Sequence, residues 1–110
     1  MHELSITQSI VSTVVERMRD APIKRVKVEI GKLSGIVPDA VHFCFEMATA
    51  GTTLEGAKLE IVEPSGKGRC RDCGTEFETS DPLPLCSACD SADIELLGGQ
   101  ELRIREVEVA

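Results

Sequence analysis

Positions 4, 7, 10 and 11, 14 and 15, and 18 (Leu4, Thr7, Ile10, Val11, Val14, Val15, Met18) recur at a spacing of three to four residues. Gln8, Ser12, Glu16 and Arg19 take the opposite side. That period predicts an amphipathic helix over residues 4–19. Asp20-Ala21-Pro22 ends it, because a proline disfavours helix in the residue before it. The pattern then changes to strict alternation. Val26, Val28 and Ile30 point one way and Arg25, Lys27 and Glu29 the other, which predicts a half-buried strand over 24–32. Gly31 and Gly35 mark the loop that follows. Pro38-Asp39 opens a second helix reaching about Ala50. The proline suits a first helical turn and the aspartate suits the positive end of the helix dipole. Val41, Phe45 and Ala48 form its apolar stripe.

A second strand is expected over 58–63, with Leu59 and Ile61 on one face. Pro64-Ser65-Gly66-Lys67-Gly68 reads as a linker by composition. The last strong strand runs from Glu101 to Val109. Leu102 and Ile104 face one way, Val107 and Val109 the other. This change of phase predicts a bulge near Arg105-Glu106, or a second half buried on both faces. The expected fold is α+β: two helices packed on a three-stranded sheet, with an inserted zinc-ribbon-like module of four cysteines. Residues 1–64 plus 98–110 would form one domain and residues 65–97 the other.

The inserted segment carries the sharpest chemistry. Cys70-Arg71-Asp72-Cys73 is followed by twelve residues and then Cys86-Ser87-Ala88-Cys89. Two C-x-x-C turns can aim four thiolates at one point, a soft tetrahedral set that suits Zn(II), and Gly74 supplies the backbone freedom the first turn needs. The separation is slightly shorter than the usual ribbon spacing but compatible with it. Two disulfides in a secreted domain, or a redox dithiol, are the competing readings. Four cysteines leave no open coordination position, so the expected role is structural. The fifth, Cys44, lies beside the apolar stripe of the second helix and reads as core filler. His42 reads as a surface or partly packed histidine.

Composition narrows the function. The 110 residues suffice for one compact domain and a small appendage. A formal net charge of −7 argues against nucleic acid and against anionic membranes as partners. No apolar run matches a membrane span and no signal-peptide core is visible, which leads to a cytoplasmic, reducing compartment where clustered cysteines favour metal. With three aromatics in all, Phe43, Phe45 and Phe77, the core must be aliphatic.

Met1-His2-Glu3 is the second candidate site. A terminal amine, the amide nitrogen between the first two residues and the imidazole Nδ1 of His2 can reach one ion in fused chelate rings. Glu3 could add a carboxylate. Nitrogen-rich planar ligation suits Ni(II) or Cu(II), and intrinsic affinity favours copper, so these residues do not choose between the two.

The whole order, Met1-His2-Glu3-Leu4-Ser5 heading a helix, Val28-Glu29-Ile30-Gly31 ending a strand, the two C-x-x-C pairs, and Gly99-Gln100-Glu101-Leu102-Arg103-Ile104-Arg105-Glu106-Val107-Glu108, resembles the HypA (and related HybF) hydrogenase nickel-incorporation proteins over essentially the full chain. The resemblance implies a metallochaperone, not an enzyme, that delivers Ni(II) to the large subunit precursor of [NiFe]-hydrogenase. It implies work with the nickel-handling GTPase HypB and, in some organisms, a supply to urease maturation. Nickel would be held by Met1 and His2, with Glu3 as a further candidate, and zinc by Cys70, Cys73, Cys86 and Cys89. Asp39 is only a loose match to a carboxylate that helps with nickel in some members. Two rivals stand beside this reading. A rubredoxin-like electron carrier would be red, and an acidic zinc-ribbon adaptor would be indifferent to a blocked N-terminus.

Overall fold

The computed structural model describes residues 3–110. Its elements in chain order are α1 (Glu3–Met18), β1 (Ile23–Ile30), α2 (Pro38–Thr49), β2 (Lys58–Val62), β3 (Gly66–Cys70), β4 (Glu76–Thr79), β5 (Ile94–Gly98) and β6 (Leu102–Val109). They form two units. The first holds the chain up to Glu29, Ile36–Val62 and Arg103–Ala110; the second holds Ile30–Gly35 and Glu63–Leu102. No helix among the described residues is long and apolar enough to cross a membrane.

In the first unit the two helices join a sheet of strand order β2-β1-β6. β1 and β2 run parallel, with Val26 opposite Leu59 and Val28 opposite Ile61. A parallel pair needs a long crossover, and α2 is that crossover. Val26, Val28 and Ile30 are buried as their alternation requires, and Ile23 joins them. α1 buries Ile6, Thr7, Ile10, Val11 and Val14, whereas Leu4 stays exposed. The buried stripe thus starts at Ile6, which the expected spacing from Leu4 missed. Buried Thr7 is satisfied locally: its Oγ1 donates to the Glu3 carbonyl at 2.7 Å. α2 buries Val41, Phe45 and Thr49, spaced one turn apart, while Ala48 and Cys44 are half-buried and His42 is exposed.

β6 shows the expected change of phase. Arg25 meets Glu106 at 3.3 Å and Glu108 at 3.1 Å, whereas Glu29 meets Arg103 at 2.6 Å and Arg105 at 3.7 Å. These pairings run in opposite order along the two strands, so β6 runs antiparallel to β1. In an uninterrupted strand the side chains of 103 and 105 face away from those of 106 and 108. All four instead meet the Arg25–Glu29 face of β1, so the phase shifts between Arg105 and Glu106. The alternative, a second half buried on both faces, does not occur, since Val109 is 45% exposed. Arg25 also pairs with Glu60 across β2. The Arg25 guanidinium, with the Lys24 ammonium behind it, holds the Glu108 carboxyl below its ordinary range.

The second unit is a sheet of order β4-β3-β5, antiparallel on both sides of β3. Residues 66–68, which by composition read as a linker, are part of its central strand. The glycines there permit contact and not motion. A Cβ on Gly66 would lie 2.7 Å from the Thr79 carbonyl oxygen and collide with the Leu33 side chain, and one on Gly68 would lie 2.9 Å from Ile94 Cγ2. The same crowding recurs where three chain segments cross. A Cβ on Gly31 would fall on the Gly99 carbonyl, and one on Gly99 would lie 2.8 Å from the Gly66 nitrogen. Backbone bonds fasten that crossing: Gly31 N–H to the Glu101 carbonyl (2.8 Å), Lys32 N–H to Pro64 (3.0 Å) and Leu33 N–H to Gly99 (2.7 Å). Because backbone cannot yield as a side-chain tip can, Gly31→Ala should cost about 3 kcal/mol. Urea denaturation followed by amide signals of the second unit checks this; an unchanged midpoint would mean the segments can part without penalty.

Candidate metal centre

The two C-x-x-C segments fold into matching turns. In the first, the Cys70 carbonyl accepts from Gly74 N–H (2.8 Å) and the Cys70 N–H donates to the Thr75 carbonyl (2.9 Å). In the second, the Cys86 carbonyl accepts from Asp90 N–H (2.9 Å) and the Cys86 N–H donates to the Ser91 carbonyl (2.8 Å). Each turn needs a left-handed residue just after its second cysteine. Gly74 takes φ 80° and Asp90 takes φ 61°. Aspartate tolerates this region better than most side chains do, which explains how the second turn manages without glycine.

Both turns also aim amide hydrogens at sulfur. Cys70 Sγ accepts from Cys73 N–H and Cys86 Sγ accepts from Ala88 N–H, each at 3.4 Å. Cys70 and Cys86 are buried, and Cys73 and Cys89 are exposed. The four sulfurs lie within 4.8 Å of one another. Cys70 to Cys89 and Cys73 to Cys86 are each 3.6 Å. A sulfur–sulfur bond is about 2.0 Å, so these are four thiols and not two disulfides. A tetrahedral ion with about 2.3 Å bonds to sulfur has edges of about 3.8 Å, so the cluster is already near the size that zinc requires.

The electrostatics point the same way. Hydrogen bonds with the Thr75 hydroxyl, then its backbone, then Cys86, lower the Cys73 thiol to about 6. At Cys89 the backbone contact of Ser91 also favours the thiolate, but the neighbouring Cys70 and Cys73 sulfurs outweigh it and push the thiol up to about 12. Four sulfurs this close cannot all ionise without a cation among them. A divalent ion removes that conflict, and binding it must release protons.

Sequence reasoning found all four cysteines but not their supports, Thr75 and Ser91. A signal was present: each sits two residues after the second cysteine of its turn, in Cys73-Gly74-Thr75 and Cys89-Asp90-Ser91. Ser91 Oγ also bonds the Asp72 carboxylate, and Arg71 pairs with Asp93 at 2.9 Å, so polar contacts cross from one turn to the other. Cys44, on α2, is not among the clustered cysteines.

Of the nitrogen-rich candidate site, Met1 and His2 lie outside the described residues. Glu3 opens α1, and its Oε2 accepts from the Val37 N–H at 3.3 Å, just ahead of α2. Val37 cannot cap the helix with its own side chain, so a carboxylate from α1 lies at the positive end of α2. Asp39 and His42 are exposed on α2.

The family described as "Hydrogenase/urease nickel incorporation, metallochaperone, hypA" matches residues 1–109. The chain is similar to a hydrogenase maturation factor HypA of Crocosphaera subtropica, 53% identical over 109 residues that cover 99% of this chain and 96% of that one. A factor of the same name from Geotalea uraniireducens is 47% identical, covering 99% of both chains. The solution structure of the Ni metallochaperone HypA from Helicobacter pylori matches with a TM-score of 0.67 at 26% identity, over 99% of this chain and 97% of that one.

Proposed function

We propose, because this chain belongs to the HypA family of hydrogenase and urease nickel-incorporation metallochaperones, that Met1 and His2 carry Ni(II) as cargo while Cys70, Cys73, Cys86 and Cys89 hold a resident Zn(II). As a family member it is a nickel metallochaperone of hydrogenase maturation and not an enzyme. The match over residues 1–109, which takes in both candidate sites, carries this reading.

The two sites divide the work. Nickel is bound by the Met1 amine, the His2 amide nitrogen and the His2 imidazole, with Glu3 beside them. Ligands at a chain end can be surrendered to an acceptor at little structural cost. The cysteine cluster, internal to the chain and bonded into its own turns, keeps its ion. The recipient is the [NiFe]-hydrogenase large subunit precursor, the companion is the GTPase HypB, and the compartment is the cytoplasm. Supply of nickel to urease maturation is a second route within the same reading.

The test is metal analysis of untagged protein after nickel loading and removal of free metal. Expected is nickel bound together with a full zinc complement. A full zinc complement with no nickel retained would leave only a zinc-stapled adaptor. Iron and a red colour would instead indicate an electron carrier.

A further inference from the structure

The segment between the two cysteine turns carries the most exposed large apolar side chains of the second unit. Leu83 is 85% exposed and Leu85 59%. Pro84 and Cys86, which alternate with them, are buried. That alternation belongs to an extended segment, so the two leucines share its outer side. Single exposed leucines are ordinary on a protein surface. These two differ in how firmly they are held. The Asp81 N–H donates to Thr79 Oγ1 at 3.0 Å, and the Leu83 N–H donates to Asp81 Oδ1 at 2.9 Å. Pro82 and Pro84 fix φ on either side of Leu83. The segment leaves the end of β4 at Thr79 and enters the metal centre at Cys86, so both its ends are anchored.

An apolar side chain already ordered in this way loses little freedom when a partner covers it. The surrounding charge says which partner fits. From Asp72 to Leu97 every charged residue is an aspartate or a glutamate. A divalent ion held by four thiolates leaves the metal centre negative as well. The complement is an apolar socket rimmed by lysine and arginine. Nucleic acid and anionic lipid carry the same sign as the segment and are repelled.

We propose that Leu83 and Leu85 form a docking knob that seats in a basic-rimmed apolar socket of the protein receiving the nickel. This rests on the reading of the chain as a nickel carrier. The nickel ligands cannot themselves serve as the dock, because transfer consists in giving them up. The hold on the acceptor has to be made by other residues, and the knob belongs to the unit that does not contain Glu3. While it is seated, ligand exchange at the chain end is a step within one complex, at an effective concentration far above that of the free proteins. The resident ion then has a second task. It holds its unit together, and at Cys86 it fixes one end of the knob.

Calorimetric titration of the purified [NiFe]-hydrogenase large subunit precursor with the untagged, zinc-loaded, nickel-free full chain tests this. Association is expected that weakens as salt is raised. Leu83→Ser with Leu85→Ser should weaken it about tenfold or more, while nickel affinity, zinc content and circular dichroism stay as in the wild type. Asp81→Asn keeps an oxygen for the Leu83 N–H and drops one charge. It should weaken association only about twofold and make it less sensitive to salt. Equal binding by the double variant and the wild type overturns the proposal, as does a precursor that binds neither. A loss seen with HypB alone, the precursor being bound as before, overturns the choice of partner and the proposal with it. None of these results bears on nickel binding, which is measured on the wild type without any partner.

Discussion

Cys70→Ser should strip the metal from the second unit and unfold it, while the first unit keeps its helices. The reason lies in what that unit has to bury. Its buried apolar side chains are Ile30, Leu33, Cys70, Pro84 and Cys86. Two of these five are sulfurs of the cluster, so little core remains without the ion. A unit this small cannot offset its chain entropy by burial alone and needs a staple. Structural zinc supplies on the order of 10 kcal/mol, all of it available to folding because the unfolded chain has no assembled site. Serine oxygen is a harder, more weakly bound donor than thiolate. It would also leave Cys89 without the neighbour that now lies 3.6 Å away. The first unit has its own core in Ile6, Ile10, Val14, Val26, Val28, Val41, Phe45 and Leu54. Zinc analysis and residue-resolved amide exchange on Cys70→Ser would show the difference. Loss of the metal with protection kept in residues 66–70 would mean that the strands, and not the ion, hold the unit, and retention of full metal would mean that the Cys70 thiolate is not needed to bind it.

His2→Ala should remove tight nickel binding and leave zinc content and fold unchanged. Without the imidazole the proposed chelate loses one of its three nitrogens and one of its rings. The remaining amine and amide do not hold a transition metal at neutral pH. The expected loss is two orders of magnitude or more, roughly 3 kcal/mol at least. Wild-type affinity should also rise with pH, because the amine, the imidazole and the amide nitrogen must all give up protons before they bind. In His2→Ala the imidazole part of that rise should vanish. Equilibrium dialysis of untagged protein from mildly acid to mildly alkaline pH makes the measurement. Full nickel affinity in His2→Ala would end the assignment, and an affinity flat with pH in the wild type would contradict the nitrogen donor set. The zinc site should not register the change, since its ligands begin at Cys70.

What could be read from the sequence was what repeats. The alternation through Val26, Val28 and Ile30 named a strand, because period two has one structural meaning. The cysteine pairs named their cluster, because two residues between thiols leave few other geometries. The phase of β6 was legible at Arg105-Glu106 for the same reason: a broken alternation records a broken register. Features set by contact with distant segments were not legible. Gly66 and Gly68 look like slack in a linear reading, yet they are narrow because Leu33, Thr79 and Ile94 press on them. The inward side of α1 starts at Ile6 and not Leu4, since the first turn of a helix has no preceding turn to fix its phase. Thr75 and Ser91 had a signal in their matching places two residues after the second cysteine of each turn, but what they bond shows only in the fold, as does the contact of the Glu3 carboxylate with the Val37 N–H.

The crossing of Gly31, Gly66 and Gly99 bears on protein engineering. A designer who lifted out the sulfur cluster at its own borders, to transplant it or to leave a pared-down chaperone behind, would cut through this knot. The excised piece would lack the Lys32–Leu33 segment that bonds to Pro64 and Gly99, and the remnant would be left with those amides facing nothing. A working graft has to take residues 30–35 along as a separate ribbon, so the module travels as two pieces of chain or not at all.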